Sequence, residues 1–164
     1  MVHLGHAQGW LASFRLREGL RAAGVRTEVM EGAESLSLIA AHPDVAGSTN
    51  DALIRCIEEC FACAQTCIAC ADACLAEEMV DALRQCIRLN GDCADLCLAA
   101  GSVGIRRTGS NEQVIVAAME ACALACALCA DECEKHADKH DHCRICAEQC
   151  RRCEQACRQA AGSI

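Results

Sequence analysis

From residue 48 onward the chain repeats one pattern, an apolar residue every third or fourth position with charged and small polar residues between. This spacing keeps the apolar side chains on one stripe of an α-helix. No stretch alternates apolar and polar residues as a half-buried strand does. Four helices follow from the pattern. The first opens at STND, with Ser48 or Thr49 as cap and Asp51 in the first turn, and runs to Glu77. The second runs from Met79 to Ala100 and ends in GSVGIRRTGS, a Gly-rich connector. Ser110 and Gln113 read as a capping box for the third, which reaches Lys135. KHADKHDH makes the last turn, and the fourth helix runs from Lys139 to Ala161. Amphipathic helices with short connections predict an all-α, antiparallel up-down-up-down four-helix bundle over residues 48–164.

Residues 1–47 read as a separate N-terminal extension, partly helical or disordered. They hold no cysteine, the only Trp (Trp10) and the only Pro (Pro43). A basic amphipathic helix is expected over residues 10–23. A short helix is expected over 33–41, stopping before His42-Pro43 because proline disfavours helix in the residue ahead of it. Met30 is a second candidate start, which would leave the first 29 residues as an upstream extension.

The residue type on the stripe changes the picture. CIEECFACAQTCIACADAC, residues 56–74, puts cysteine at Cys56, Cys60, Cys63, Cys67, Cys70 and Cys74, every seam position of the first helix. The second helix gives Cys86, Cys93 and Cys97, with Asn90 in the seam as a register device or a gap in the row. The third gives Cys122, Cys126, Cys129 and Cys133, and the fourth Cys143, Cys146, Cys150, Cys153 and Cys157. All 18 cysteines therefore fall on bundle seams, in a chain with no Tyr, two Phe and one Trp to supply bulk. The expected core is a tube of thiols.

Free cysteine packs as a small hydrophobe, but that role predicts interchange with Ala, Val and Leu rather than six successive cysteines. Disulfides within one helix are excluded by geometry: neighbours on a helix face have Cβ atoms ~5–6 Å apart, and a disulfide needs about 3.8 Å. The N-terminus has no basic region ahead of an apolar stretch and no small-residue cleavage site. A cytoplasmic, thiol-reducing setting is therefore expected, which argues against cross-helix disulfides too. Metal remains. Zinc takes four ligands and iron–sulfur clusters take discrete thiolate sets, and several such anionic sites stacked in a dry core would be costly. Cu(I) is soft and monovalent, and thiolates select it. One Cu(I) per bridging cysteine leaves the tube neutral, so many Cu(I) ions per chain is the favoured reading. A zinc or general soft-metal thiolate buffer is the alternative, and an iron–sulfur electron-transfer protein the second. The net charge of -8 argues against nucleic acid as a partner. No apolar run is read as approaching the roughly 20 residues that span a bilayer, so no membrane partner is expected.

HPDVAGSTNDALIRCIEECFACAQTCIACADAC, followed by CEKHADKHDHCRICAEQCRRCEQAC, resembles the bacterial copper storage proteins, specifically their cytosolic branch without an export signal. The similarity covers residues 36–160. It implies a four-helix bundle that assembles as a homotetramer and stores Cu(I) on core cysteines, here the 18 positions named above. Such a role serves copper homeostasis and detoxification and involves no catalytic turnover. Nothing in the chain looks like a Ser-His-Asp set or a phosphate-cradling loop, so no catalytic residues are assigned.

Alternating helix directions place the 77–80 and 135–140 turns at one end. That end gathers Cys74, Met79, Cys133, His136, His140 and Cys143. It is read as the mouth for Cu(I), with His136 and His140 as additional ligands and Met79 as a gate. His142 is expected to face solvent, and His3, His6 and His42 to be incidental. Leu53, Ile115 and Met119 are expected to plug the opposite end.

Overall fold

The computed structural model describes residues 33–164. The expected helix over 10–23, Trp10, His3, His6 and Met30 lie outside the described residues. The described chain is all-helical: α1 (Ala33–Ala40), α2 (Asp51–Leu75), a 3-10 turn (Val80–Leu83), α3 (Arg84–Ile105), α4 (Glu112–Glu134) and α5 (Asp141–Ala161). Helices α2 to α5 form a ring in which α2 packs on α3, α3 on α4, α4 on α5 and α5 back on α2.

Sulfur pairings across the helices fix their directions. Cys56, near the start of α2, meets Cys157, near the end of α5, and Cys74 at the end of α2 meets Cys143 at the start of α5. Likewise Cys74 meets Cys86, Cys97 meets Cys122, and Cys86 meets Cys133. Neighbours in the ring are therefore antiparallel throughout, as the short connections predict.

The helix ends differ from expectation in detail. α2 is capped by Asn50, not Ser48 or Thr49; the Asn50 side chain accepts from the Leu53 N–H at 3.1 Å. Asn50 Nδ2 also donates to Ser163 Oγ at 3.1 Å, tying the start of α2 to the residues after α5. At α4 the expected capping box does not form. Asn111 is the cap residue, and the Ser110 hydroxyl donates to Glu112 Oε2 at 2.6 Å instead.

α3 runs five residues beyond Ala100 into the stretch read as a connector. Glycine is a poor helix former, but Gly101 and Gly104 face α2 closely. A Cβ on Gly101 would sit 3.1 Å from the Phe61 ring, and one on Gly104 3.0 Å from Ile57 Cγ1. Close packing of the two helices there outweighs the propensity cost. Next to this contact, Leu53, Ile54, Ile57, Ile115 and Met119 are buried, and the three residues of the expected plug, Leu53, Ile115 and Met119, are among them.

Residues 33–47 also pack on the bundle. Ile39 is buried in the same core, and Val45 lies against it. His42 makes surface contacts: its Nε2 lies 3.1 Å from Thr108 Oγ1, while its Nδ1 accepts from the Asp44 N–H at 3.1 Å.

One expectation fails for α4. This 23-residue helix is long and apolar enough, by length and composition, to cross a membrane. The physical reason is that both its faces are apolar. Cysteines line the inner face, and Val114, Ala117, Ala121, Leu124 and Leu128 form a second seam of alternating three- and four-residue steps outside. Val114, Leu124 and Leu128 are each about half exposed, at 57%, 59% and 47%.

Candidate metal centre

Every one of the 18 cysteines is buried and carries a free thiol. Seam spacing turns them inward from all four bundle helices, so sulfur meets sulfur along the tube. Cys56–Cys157 is 3.3 Å, Cys60–Cys157 3.6 Å, Cys63–Cys150 3.6 Å, Cys93–Cys126 3.6 Å and Cys86–Cys133 3.6 Å. A metal–thiolate bond of about 2.3 Å places tetrahedral sulfurs ~3.8 Å apart. The spacing of the tube is thus the spacing of sulfurs that share a metal ion.

The sulfurs do not divide into separate sets. Cys63 belongs both to the group Cys63, Cys67, Cys93, Cys150 and to the group Cys63, Cys97, Cys126, Cys153. Cys67 and Cys150 recur together in Cys67, Cys129, Cys146, Cys150, and Cys153 recurs with Cys60, Cys122 and Cys157. Shared sulfurs suit bridging thiolates between adjacent ions and frustrate isolated four-thiolate sites.

Asn90 stands in the tube, fully buried. Its Oδ1 accepts from the Cys146 thiol at 3.0 Å. Its Nδ2 donates to the Cys86 carbonyl at 2.8 Å and lies 3.3 Å from Cys86 Sγ and 3.5 Å from Cys133 Sγ. The amide is satisfied at both ends, as a buried polar group must be. It touches sulfur on three helices, so it is part of the row and not a gap in it.

The histidine end departs most from expectation. His142, expected to face solvent, is the histidine among the sulfurs. Its Nδ1 lies 3.4 Å from Cys143 Sγ, 3.5 Å from Cys70 Sγ and 3.9 Å from Cys74 Sγ. Cys70, Cys74, His142 and Cys143 together can hold a metal ion. His136 and His140 make their hydrogen bonds to carboxylates: His136 Nε2 to Glu132 Oε1 at 3.4 Å, and His140 Nδ1 to Glu77 Oε1 at 2.9 Å. Met79, expected as a gate, is 70% exposed, while the 3-10 turn that follows it buries Leu83.

The sequence held a signal for His142. It lies four residues before Cys146, and on a helix that shares the flank of the seam. Glu77, whose Oε1 is also 3.1 Å from His142 Nε2, was missed. It comes from the turn after α2, and only the tertiary fold brings it over the start of α5. The hydrogen bonds from His142 and then His140 hold the Glu77 carboxyl below the usual carboxylate range. Glu132 is lowered too, by Lys135 first and then His136. On the thiol side burial acts in the opposite sense. Burial, followed by the charges of Cys74 and Cys133, pushes the Cys143 thiol up to about 12.

Residues 49–162 match the copper storage protein family. The chain belongs to that family. The match spans all four bundle helices and every cysteine. The copper storage protein Ccsp from Streptomyces lividans, loaded with 10 copper equivalents, is 50% identical, with a TM-score of 0.76 over 79% of this chain and 99% of that chain. A second structure of a cytosolic copper storage protein from Streptomyces lividans, with five coppers, is 54% identical, with a TM-score of 0.68 over 70% of this chain and 95% of that chain. Among curated proteins no relative matches.

Proposed function

We propose that this protein is a cytosolic store that takes many Cu(I) ions per chain onto its 18 core thiolates, without catalytic turnover. The sharing of Cys63, Cys67, Cys150 and Cys153 between neighbouring sulfur groups carries the reading. It supports a continuous chain of thiolate-bridged ions over the four or so separate sites a zinc buffer would use. Cysteine binds metal as the thiolate, so a thiol that is protonated in the empty core must lose its proton to bind, and loading releases protons. Cu(I) enters at the end where His136, His140 and His142 gather; the burial of the apolar Leu53, Ile115 and Met119 near the other end supports this route.

The store works as a homo-oligomer, the tetramer that the family resemblance implies. The outer seam of α4 supports association: Val114, Leu124 and Leu128 leave apolar surface at helical spacing on a face that the bundle itself does not cover.

An anaerobic Cu(I) titration of the reduced protein against a chromophoric chelator, with protein quantified by thiol count, tests the function. Uptake rising toward one Cu(I) per cysteine, with unchanged helicity, is the expected result. Saturation at about four metal ions, with Zn(II) preferred in parallel, would instead establish discrete four-thiolate sites.

A further inference from the structure

We propose that Glu77 is the positioning residue of the copper mouth: its carboxylate holds the His142 ring so that Nδ1, bare of hydrogen, faces the sulfurs of Cys70, Cys74 and Cys143. The proposal rests on the reading that Cu(I) passes through the histidine end.

The argument is one of hydrogen-bond inventory. An ionised carboxylate only accepts. Glu77 Oε1 receives two imidazole nitrogens, His142 Nε2 at 3.1 Å and His140 Nδ1 at 2.9 Å, so both of those nitrogens carry hydrogen. A neutral imidazole has one N–H. His142 is therefore left with its lone pair on Nδ1, the atom 3.4 to 3.9 Å from the three sulfurs. His140 is set the opposite way, its lone pair on Nε2, with its ring centroid 5.3 Å from that of His142. One oxygen thus orders two rings in opposite tautomers.

The backbone brings Glu77 there directly. It lies three residues past Cys74, and its N–H donates to the Cys74 carbonyl at 3.4 Å, closing the turn after α2. The last thiol of α2 and the carboxylate are thus set by the same short piece of chain. A carboxylate behind a ligating histidine fixes its tautomer and orientation, and removing such a partner typically costs 10–100-fold in affinity or activity.

The test uses the full chain with E77A, E77Q and H142A, alone and with E77A and H142A combined. Two quantities are read: the tautomer of His142 in the copper-free protein, from long-range proton–nitrogen spectra of the imidazoles, and the initial rate of Cu(I) transfer from a chelator. Wild type is expected to show Nε2–H only at His142. E77A is expected to show mixed tautomers and to load about tenfold more slowly, with final capacity unchanged. E77Q keeps an acceptor oxygen at the same reach and is expected to retain the tautomer and most of the rate. The combined variant should load no more slowly than H142A alone, because Glu77 acts through His142.

If H142A loads at the wild-type rate, the histidine end is not the route and the underlying reading fails. A slow H142A with a wild-type E77A would leave the mouth in place and overturn the role of Glu77. E77Q loading as slowly as E77A while keeping the tautomer would make the charge the cause and overturn positioning.

Discussion

A thiol is small and apolar enough to sit where leucine usually does, yet it ionises, and the residue-scale behaviour of the protein turns on that difference. Burial pushes the Cys143 thiol up to about 12, against an ordinary value of about 8.5 in an unfolded chain. Below the ordinary value the thiol is protonated in both states and costs nothing. As pH rises from there toward 12, the unfolded chain sheds the proton while the folded one keeps it, so the contribution of Cys143 to the stability of the empty bundle falls. Circular-dichroism melts of the copper-free, reduced protein should show a midpoint that falls above about pH 8.5. The loaded protein, whose thiolates are already ionised on metal, should not follow it. The burial of the cysteines was fully legible at this scale, because every seam cysteine is a core cysteine. His142 was not, since a residue one step off the seam turns inward or outward according to what its neighbours across the bundle offer.

At the scale of elements, helix existence followed from periodicity while helix ends followed from packing. Gly101 and Gly104 look like the start of a loop, but α3 continues through them because α2 needs the space that a side chain would fill. The two kinds of helical glycine in α3 should therefore respond in opposite directions. Gly91 has open space where a Cβ would go, so Gly91→Ala is expected to stabilise by about 0.5–1 kcal/mol through helix propensity. Gly104→Val would drive methyl groups into Ile57 and is expected to destabilise by about 1–3 kcal/mol. Urea midpoints of the copper-free variants, at unchanged slope, check both signs. The caps shifted by one or two residues for a similar reason. Asn50 serves both the Leu53 N–H and Ser163, a double role at the helix start.

At the scale of the whole molecule, α4 carries two seams, one for the thiol tube and one facing outward. Leu124→Glu with Leu128→Glu places two charges on the outer seam without touching a cysteine. Light scattering is expected to report a smaller assembly for this variant, with helicity and copper capacity per chain retained. An unchanged mass would remove α4 from the association surface. The sequence by itself determined the bundle, its directions and the ring of 18 inward thiols, because a three-and-four spacing allows a helix only one buried face. Tertiary structure alone decided which sulfurs share a neighbour, as Cys63 does between Cys150 and Cys126. It also decided that Glu77 meets His142 across 65 residues of chain. Those meetings depend on how far each helix is rotated and slid against the next, and that is set by side chains on several helices packing at once.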